Sequence, residues 1–183
     1  MRVLWILAGL ASAAHADPRW RLDLAVRGVG SIATGDSGSL RSGLAPALAI
    51  RAEWMVGAFA IGGSIAVAAP AWAGQLDAAI AADDAVAHGA QWAAAVGVDG
   101  GASVFYFDAG LGDSHPMDPV KYWGPFARVR AQLHYLWPQP NGRELGLVLG
   151  PLVAATWAHP WFGERTDGAR LEPGFELGLT LRL

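Results

Sequence analysis

Residues 171–183 read Leu171-Glu172-Pro173-Gly174-Phe175-Glu176-Leu177-Gly178-Leu179-Thr180-Leu181-Arg182-Leu183. Every odd position is apolar, while the even positions carry Glu172, Gly174, Glu176, Gly178, Thr180 and Arg182. Side chains on a strand alternate faces with a period of two, so this stretch has one wholly apolar face and one polar or small face. A helix would scatter the same leucines around its circumference. The stretch is therefore a β-strand, and it sets the pattern to look for upstream.

The same alternation recurs towards the amino terminus. It predicts strands over 19–32, 43–54, 58–68, 88–98, 102–112, 123–137 and 144–157, with 171–183 as the eighth. In the first, Trp20, Leu22, Leu24 and Val26 oppose Arg19, Arg21, Asp23 and Arg27. In the sixth, Trp123, Val129, Leu133, Tyr135 and Trp137 oppose Arg128, Arg130, Gln132 and His134. Asp99-Gly100-Gly101 reads as a hairpin turn, because glycine reaches positive φ freely. That turn places Trp92, Val96 and Val98 on the apolar face before it, and Phe105, Phe107, Ala109 and Leu111 on the apolar face after it. The Ala-rich segment 69–87, with Asp77, Asp83 and Asp84, reads as a long connection able to hold a short helix. Connections then alternate, long near 33, 69, 113 and 158 and short near 55, 99 and 138. This is the rhythm of an up-and-down antiparallel barrel.

Three observations put the apolar face outside. No charged residue falls on the apolar phase of the eight expected strands. The opposite phase of 58–68 is almost all Ala, Gly and Ser, which suits a crowded lumen better than a solvated surface. Aromatics gather at strand ends as a girdle: Trp20, Trp54 and Trp137 at one end, Trp123 and Trp157 at the other. Apolar-out strands with polar interiors and aromatic girdles define a transmembrane β-barrel, all-β in class, and lipid requires such a barrel to close.

Composition agrees. Charged residues are 16% of the chain and hydrophobic residues 53%, a low charge for a water-soluble domain. There is no cysteine, which excludes disulfides and thiolate chemistry. A net charge of −3 without a basic block argues against nucleic acid as a partner. Arg2, the apolar run from Val3 to Leu10 and Ala14-His15-Ala16 form a signal-peptide pattern. Cleavage after Ala16 takes 16 of 183 residues and leaves 167, so 1–16 is expected to be a signal peptide and 17–183 the barrel domain.

Glu176-Leu177-Gly178-Leu179-Thr180-Leu181-Arg182-Leu183 resembles the assembly signal of outer-membrane barrels, with Glu176, Gly178, Leu181 and Leu183 at its marked positions. It departs from that signal in ending on Leu183 where an aromatic is usual. The chain as a whole resembles the small eight-stranded barrels of the OmpA/OmpX type. The resemblance implies a location in the bacterial outer membrane and contact with lipid and lipopolysaccharide. It also implies recognition by the barrel-assembly machinery, and a monomer without a cofactor.

The expected lumen set is Arg19, Arg21, Asp23, Arg27, Arg51, Glu53, Arg128, Arg130, His134, Glu172, Glu176 and Arg182. Eight strands leave an interior that side chains just fill, and buried charges need partners, so an ion-pair plug is favoured over an ion path. Setting Trp20 level with Leu183 gives paired residue numbers that sum to about 203, which places Arg27 opposite Glu176, with Glu172 as the alternative. Gly35-Asp36-Ser37-Gly38 and Gly112-Asp113-Ser114-His115 resemble nucleophile motifs but lack the strand-turn-helix setting of a nucleophile elbow, so no catalytic residue is assigned. Asp113, His115, Asp118, His159 and Asp167 have oxygen and imidazole groups that suit a divalent cation, yet their spacing matches no metal site. The expected role is structural or surface-interacting, with no enzymatic activity. The alternatives are a lipid A-modifying enzyme using Ser114 and His115, and a secreted lipocalin-like carrier of small ligands.

Overall fold

The structure is a computed structural model that describes residues 19–34, 43–68, 73–107, 120–160 and 168–183. Eight strands form one closed sheet: β1 (Arg19–Thr34), β2 (Gly43–Val56), β3 (Phe59–Ala68), β4 (Ala73–His88), β5 (Trp92–Phe107), β6 (Val120–Pro138), β7 (Glu144–Pro160) and β8 (Gly168–Arg182). Each strand pairs antiparallel with its sequence neighbours, and β1 pairs with β8. No helix among the described residues is long and apolar enough to cross a membrane.

The short connections lie at one end. Gly57 turns the chain between β2 and β3 with φ of +63°, a left-handed value that favours glycine. Gly89 to Gln91 joins β4 to β5. A 3-10 turn at Pro140–Gly142 joins β6 to β7, with Gly142 at φ +73°.

Faces follow the alternation. On β1, Leu22, Leu24 and Val26 point outward while Arg21, Asp23, Ala25 and Arg27 are buried. On β8, Leu177 and Leu179 are about half exposed, at 55% and 51%, and Glu176 and Thr180 are wholly buried. The β1–β8 seam has the expected register, pairing Arg21 with Arg182 and Arg27 with Glu176. Reciprocal backbone hydrogen bonds between Trp20 and Leu183, at 3.2 and 2.8 Å, finish the closure.

The expected strands over 88–98 and 102–112 and the expected loop over 69–87 are corrected. Residues Ala73–His88 are strand β4, and 92–107 is a single strand running through Asp99-Gly100-Gly101. The turn lies ten residues earlier than the Asp-Gly-Gly pattern suggests, at Gly89 to Gln91. Asp99 is not a turn residue: its side chain is buried and binds Arg128 and Arg130 of the adjacent strand β6. Gly101 faces a backbone that approaches too closely for a side chain, since a Cβ there would overlap the Ala78 carbonyl oxygen and Ala79 Cα of β4. With no turn, one phase continues through the strand, so Ser103 is buried and Val104 faces outward, the reverse of the expected faces beyond residue 101. The count of eight survives because one strand was missed and another was divided.

β4 also changes one premise. Asp84 lies on its outward phase and is exposed, level with Phe59 and Val96. It sits near the short-turn end, where a carboxylate reaches the polar edge of a bilayer. Pro125 and Pro151 point outward, and the β6–β7 ladder is interrupted beside each. Pro151 makes no bulge: Arg130↔Leu152 and Leu133↔Leu149 keep a common register across the interruption.

Candidate functional site in the barrel lumen

The lumen begins with inward positions on every strand. β2, β3 and β4 contribute Ala47, Ala49, Ala60, Ser64, Ala66 and Ala81, all small and buried. That space receives long side chains from β1, β2 and β6. Arg21, Arg27, Arg51, Arg128 and Arg130 are buried, facing buried Asp23, Glu53, Asp77, Asp83, Asp99, Glu172 and Glu176. Isolated charges at such depth would be costly, and these are paired.

Towards the short turns, Arg21 binds Glu53 through Nε at 3.0 Å and also binds Asp83. Arg130 binds Asp83 and stands 3.1 Å from Asp99. Gly97 leaves room for this pair, since a Cβ there would overlap Asp83 and crowd the Arg130 guanidinium. At mid-height Glu176 accepts from Arg27 Nε at 3.0 Å, from Arg51 Nη2 at 3.4 Å and from Gln132. Arg51 also donates to Asp23 at 3.0 Å. Towards the long connections, Arg128 bridges Asp77 at 2.7 Å and Asp99 at 3.1 Å. Asp77 additionally accepts from Ser103 and Gln75. Glu172 pairs with Arg170 at 2.5 Å and accepts from Thr156. Arg182 meets Glu144 at 3.4 Å at the short-turn rim.

Of the lumen positions read from sequence, Arg21, Asp23, Arg27, Arg51, Glu53, Arg128, Arg130, His134, Glu172 and Glu176 are buried, and Arg182 is partly so. Arg19 is exposed at the strand end. His134 is buried with neither ring nitrogen hydrogen-bonded among the described residues. The sequence reading missed Asp77, Asp83 and Asp99, because it treated their stretches as loop and turn. A signal was present. The expected lumen set Arg19, Arg21, Arg27, Arg51, Arg128, Arg130 and Arg182 against only Asp23, Glu53, Glu172 and Glu176, too few carboxylates for a buried set. Asp77 and Asp83 also share a strand phase.

Trp20, Trp54 and Trp137 stand outward at the short-turn end, and Trp123 and Trp157 outward at the other, each 40–53% exposed. Trp92, beside Tyr135, joins the first group. Within the carboxyl-terminal motif, Glu176 is the lumen junction and Gly178 packs against the β1 backbone. Residues 1–16, Ser37, Asp113, Ser114, His115, Asp118 and Asp167 lie outside the described residues. His159 packs against Trp123, with ring centroids 5.8 Å apart.

A closed barrel with an apolar exterior, aromatic ends and a charged interior is inverted relative to a water-soluble carrier barrel, which removes the lipocalin-like alternative. Fold and surface together define a small outer-membrane β-barrel. Solved structures agree on the fold. Neisserial surface protein A has a TM-score of 0.55 at 12% identity, covering 86% of this chain and 96% of that one. Ail, the attachment invasion locus protein of Yersinia pestis, has a TM-score of 0.53 at 10% identity, covering 92% of this chain and all of that one. Ail in complex with the heparin analogue sucrose octasulfate gives 0.52 at the same identity. No family model and no curated sequence matches the chain.

Proposed function

We propose that this barrel is an integral outer-membrane protein with a structural or surface-interaction role, and that its lumen is plugged by the arginine–carboxylate network. The supporting observation is the packing of the interior. Buried ion pairs occupy it from Arg21 to Glu172, and a cavity beside Arg27 and Glu172 measures about 30 Å3. That volume holds about two waters. Work is then left to the outer surface, without an enzymatic step. In this reading the chain is exported by residues 1–16 and recognised by the assembly machinery through Glu176, Gly178, Leu181 and Leu183. It stands as a monomer whose tryptophans meet lipid and lipopolysaccharide.

Two measurements test it. The refolded barrel in a planar bilayer is expected to give no steady conductance, and a stable open level would overturn the plug. Ser114→Ala and His115→Ala are expected to leave the lipid A of a host membrane as the wild type leaves it. Loss of an acyl chain that depends on the wild-type protein and disappears in either variant would make the protein an enzyme.

A further inference from the structure

The outer half of the lumen has a cavity lined by buried guanidinium donors that have no partner among the described residues. It measures about 30 Å3, and its polar lining is Arg27, Arg128, Arg170, Asp77, Glu172 and Gln75, with Ala47 among the apolar residues. Its two carboxylates are engaged: Asp77 accepts from Arg128, Ser103 and Gln75, and Glu172 from Arg170 and Thr156. Arg27 is 1% exposed and uses only Nε, on Glu176; both of its terminal nitrogens, Nη1 and Nη2, have no partner among the described residues. Nε of Arg128 is likewise unpartnered. Glu176 does not line the cavity and shares its oxygens with Arg51 and Gln132 as well. Three arginines and two carboxylates line the cavity, and just outside it Glu176 pairs with Arg27 and Asp99 with Arg128. Buried N–H groups require acceptors, and a guanidinium fork suits an anion.

We infer that this cavity binds one small inorganic anion, of the chloride-to-phosphate size class, on the free guanidinium edge of Arg27 with Arg128 beside it. The site is separate from any surface interaction, so its failure would leave the proposed role untouched.

A ligand that binds only the folded state stabilises it in proportion to its occupancy. The test follows urea unfolding of the intact barrel in zwitterionic vesicles by tryptophan fluorescence. Ionic strength is held constant while chloride replaces gluconate, an anion too large for the cavity; a second series uses inorganic phosphate. The folded-to-unfolded ratio is expected to rise with chloride and, once the site saturates, to change up to tenfold per tenfold in concentration. Ala47→Leu fills the cavity without removing a charge, and Arg27→Met removes the donor fork. Both are expected to abolish the increment. Should Arg27→Met fail to fold, Ala47→Leu still decides. A wild-type midpoint equal in chloride, phosphate and gluconate, or an unchanged increment in Ala47→Leu, overturns the inference.

Discussion

Glu176 shows how much one side chain can hold. It ties β8 to β1 through Arg27, to β2 through Arg51 and to β6 through Gln132. Removing one member of a buried pair strands the other charge, at a typical cost of about 3–5 kcal/mol. Glu176→Leu strands Arg27 while Arg51 keeps Asp23, and Arg27→Met strands no charge, since Glu176 retains Arg51. The carboxylate variant is therefore expected to lose more stability than the arginine variant, and the double mutant to recover part of the loss. A double-mutant cycle in lipid measures the coupling, and strict additivity would show that the pair does not interact. Adjacent glycines offer a second contrast. Gly100 has nothing within 4 Å of a would-be Cβ, whereas Gly101 meets the β4 backbone. Gly100→Ala is expected to stay within about 0.5 kcal/mol of wild type, and Gly101→Ala to lose about 1–3 kcal/mol by overpacking. Equal urea midpoints for the two variants would return residues 99–101 to a turn.

At the scale of the strand, legibility depended on how strongly each face was marked. The pattern in β1, β6 and β8 is large apolar against charged, and it fixed both their faces and the seam register. β4 sets Leu76, Ala78, Ile80 and Ala82 against Gln75, Asp77, Ala79 and Ala81, and alanine marks neither face. On the lumen phase, Ala79 and Ala81 are small and leave room for arginines from other strands, which is a tertiary cause invisible locally. Glycine in Asp99-Gly100-Gly101 misled for a related reason: close strand approach, not a turn, selected it. Ile80 is 69% exposed on the outward face of β4. Ile80→Arg is expected to cost about 2–4 kcal/mol if Ile80 lies near the bilayer midplane, and Asp84→Arg, near the rim, about 0–1. Were 73–88 a surface connection, refolding into vesicles would show both as neutral. On β8, Leu179→Arg should lose a comparable amount through lipid contact, while Thr180→Arg acts by crowding the lumen; equal, negligible effects would undo the assignment of faces.

For the whole molecule, closure makes stability collective. Every strand has two hydrogen-bonded neighbours, and no sheet edge is left in lipid. The folded barrel is expected to resist detergent at room temperature and to migrate on a gel apart from its boiled form, running as a single compact species. Identical migration before and after boiling, or release in the soluble fraction of the cell envelope, would contradict a membrane barrel. The architecture, and the inside–outside assignment of the strongly marked strands, were open to reading from periodicity, because lipid imposes an apolar outer face. The complete charge set was not, since three of its carboxylates sit on strands whose local pattern is weak.

The many-partnered carboxylates of the lumen have a hereditary consequence. Asp83 serves Arg21 and Arg130, Asp99 serves Arg128 and Arg130, and Glu176 serves Arg27 and Arg51. No one of these charges can drift alone without harming partners on other strands, so the set is inherited in linked groups. Descendants of this chain should keep, exchange or lose them together while the lipid-facing leucines and valines vary freely among themselves. A library randomising Asp83, Arg21 and Arg130 at once, selected for folded barrel, would recover charge-compensated or wholly apolar triplets and few single replacements.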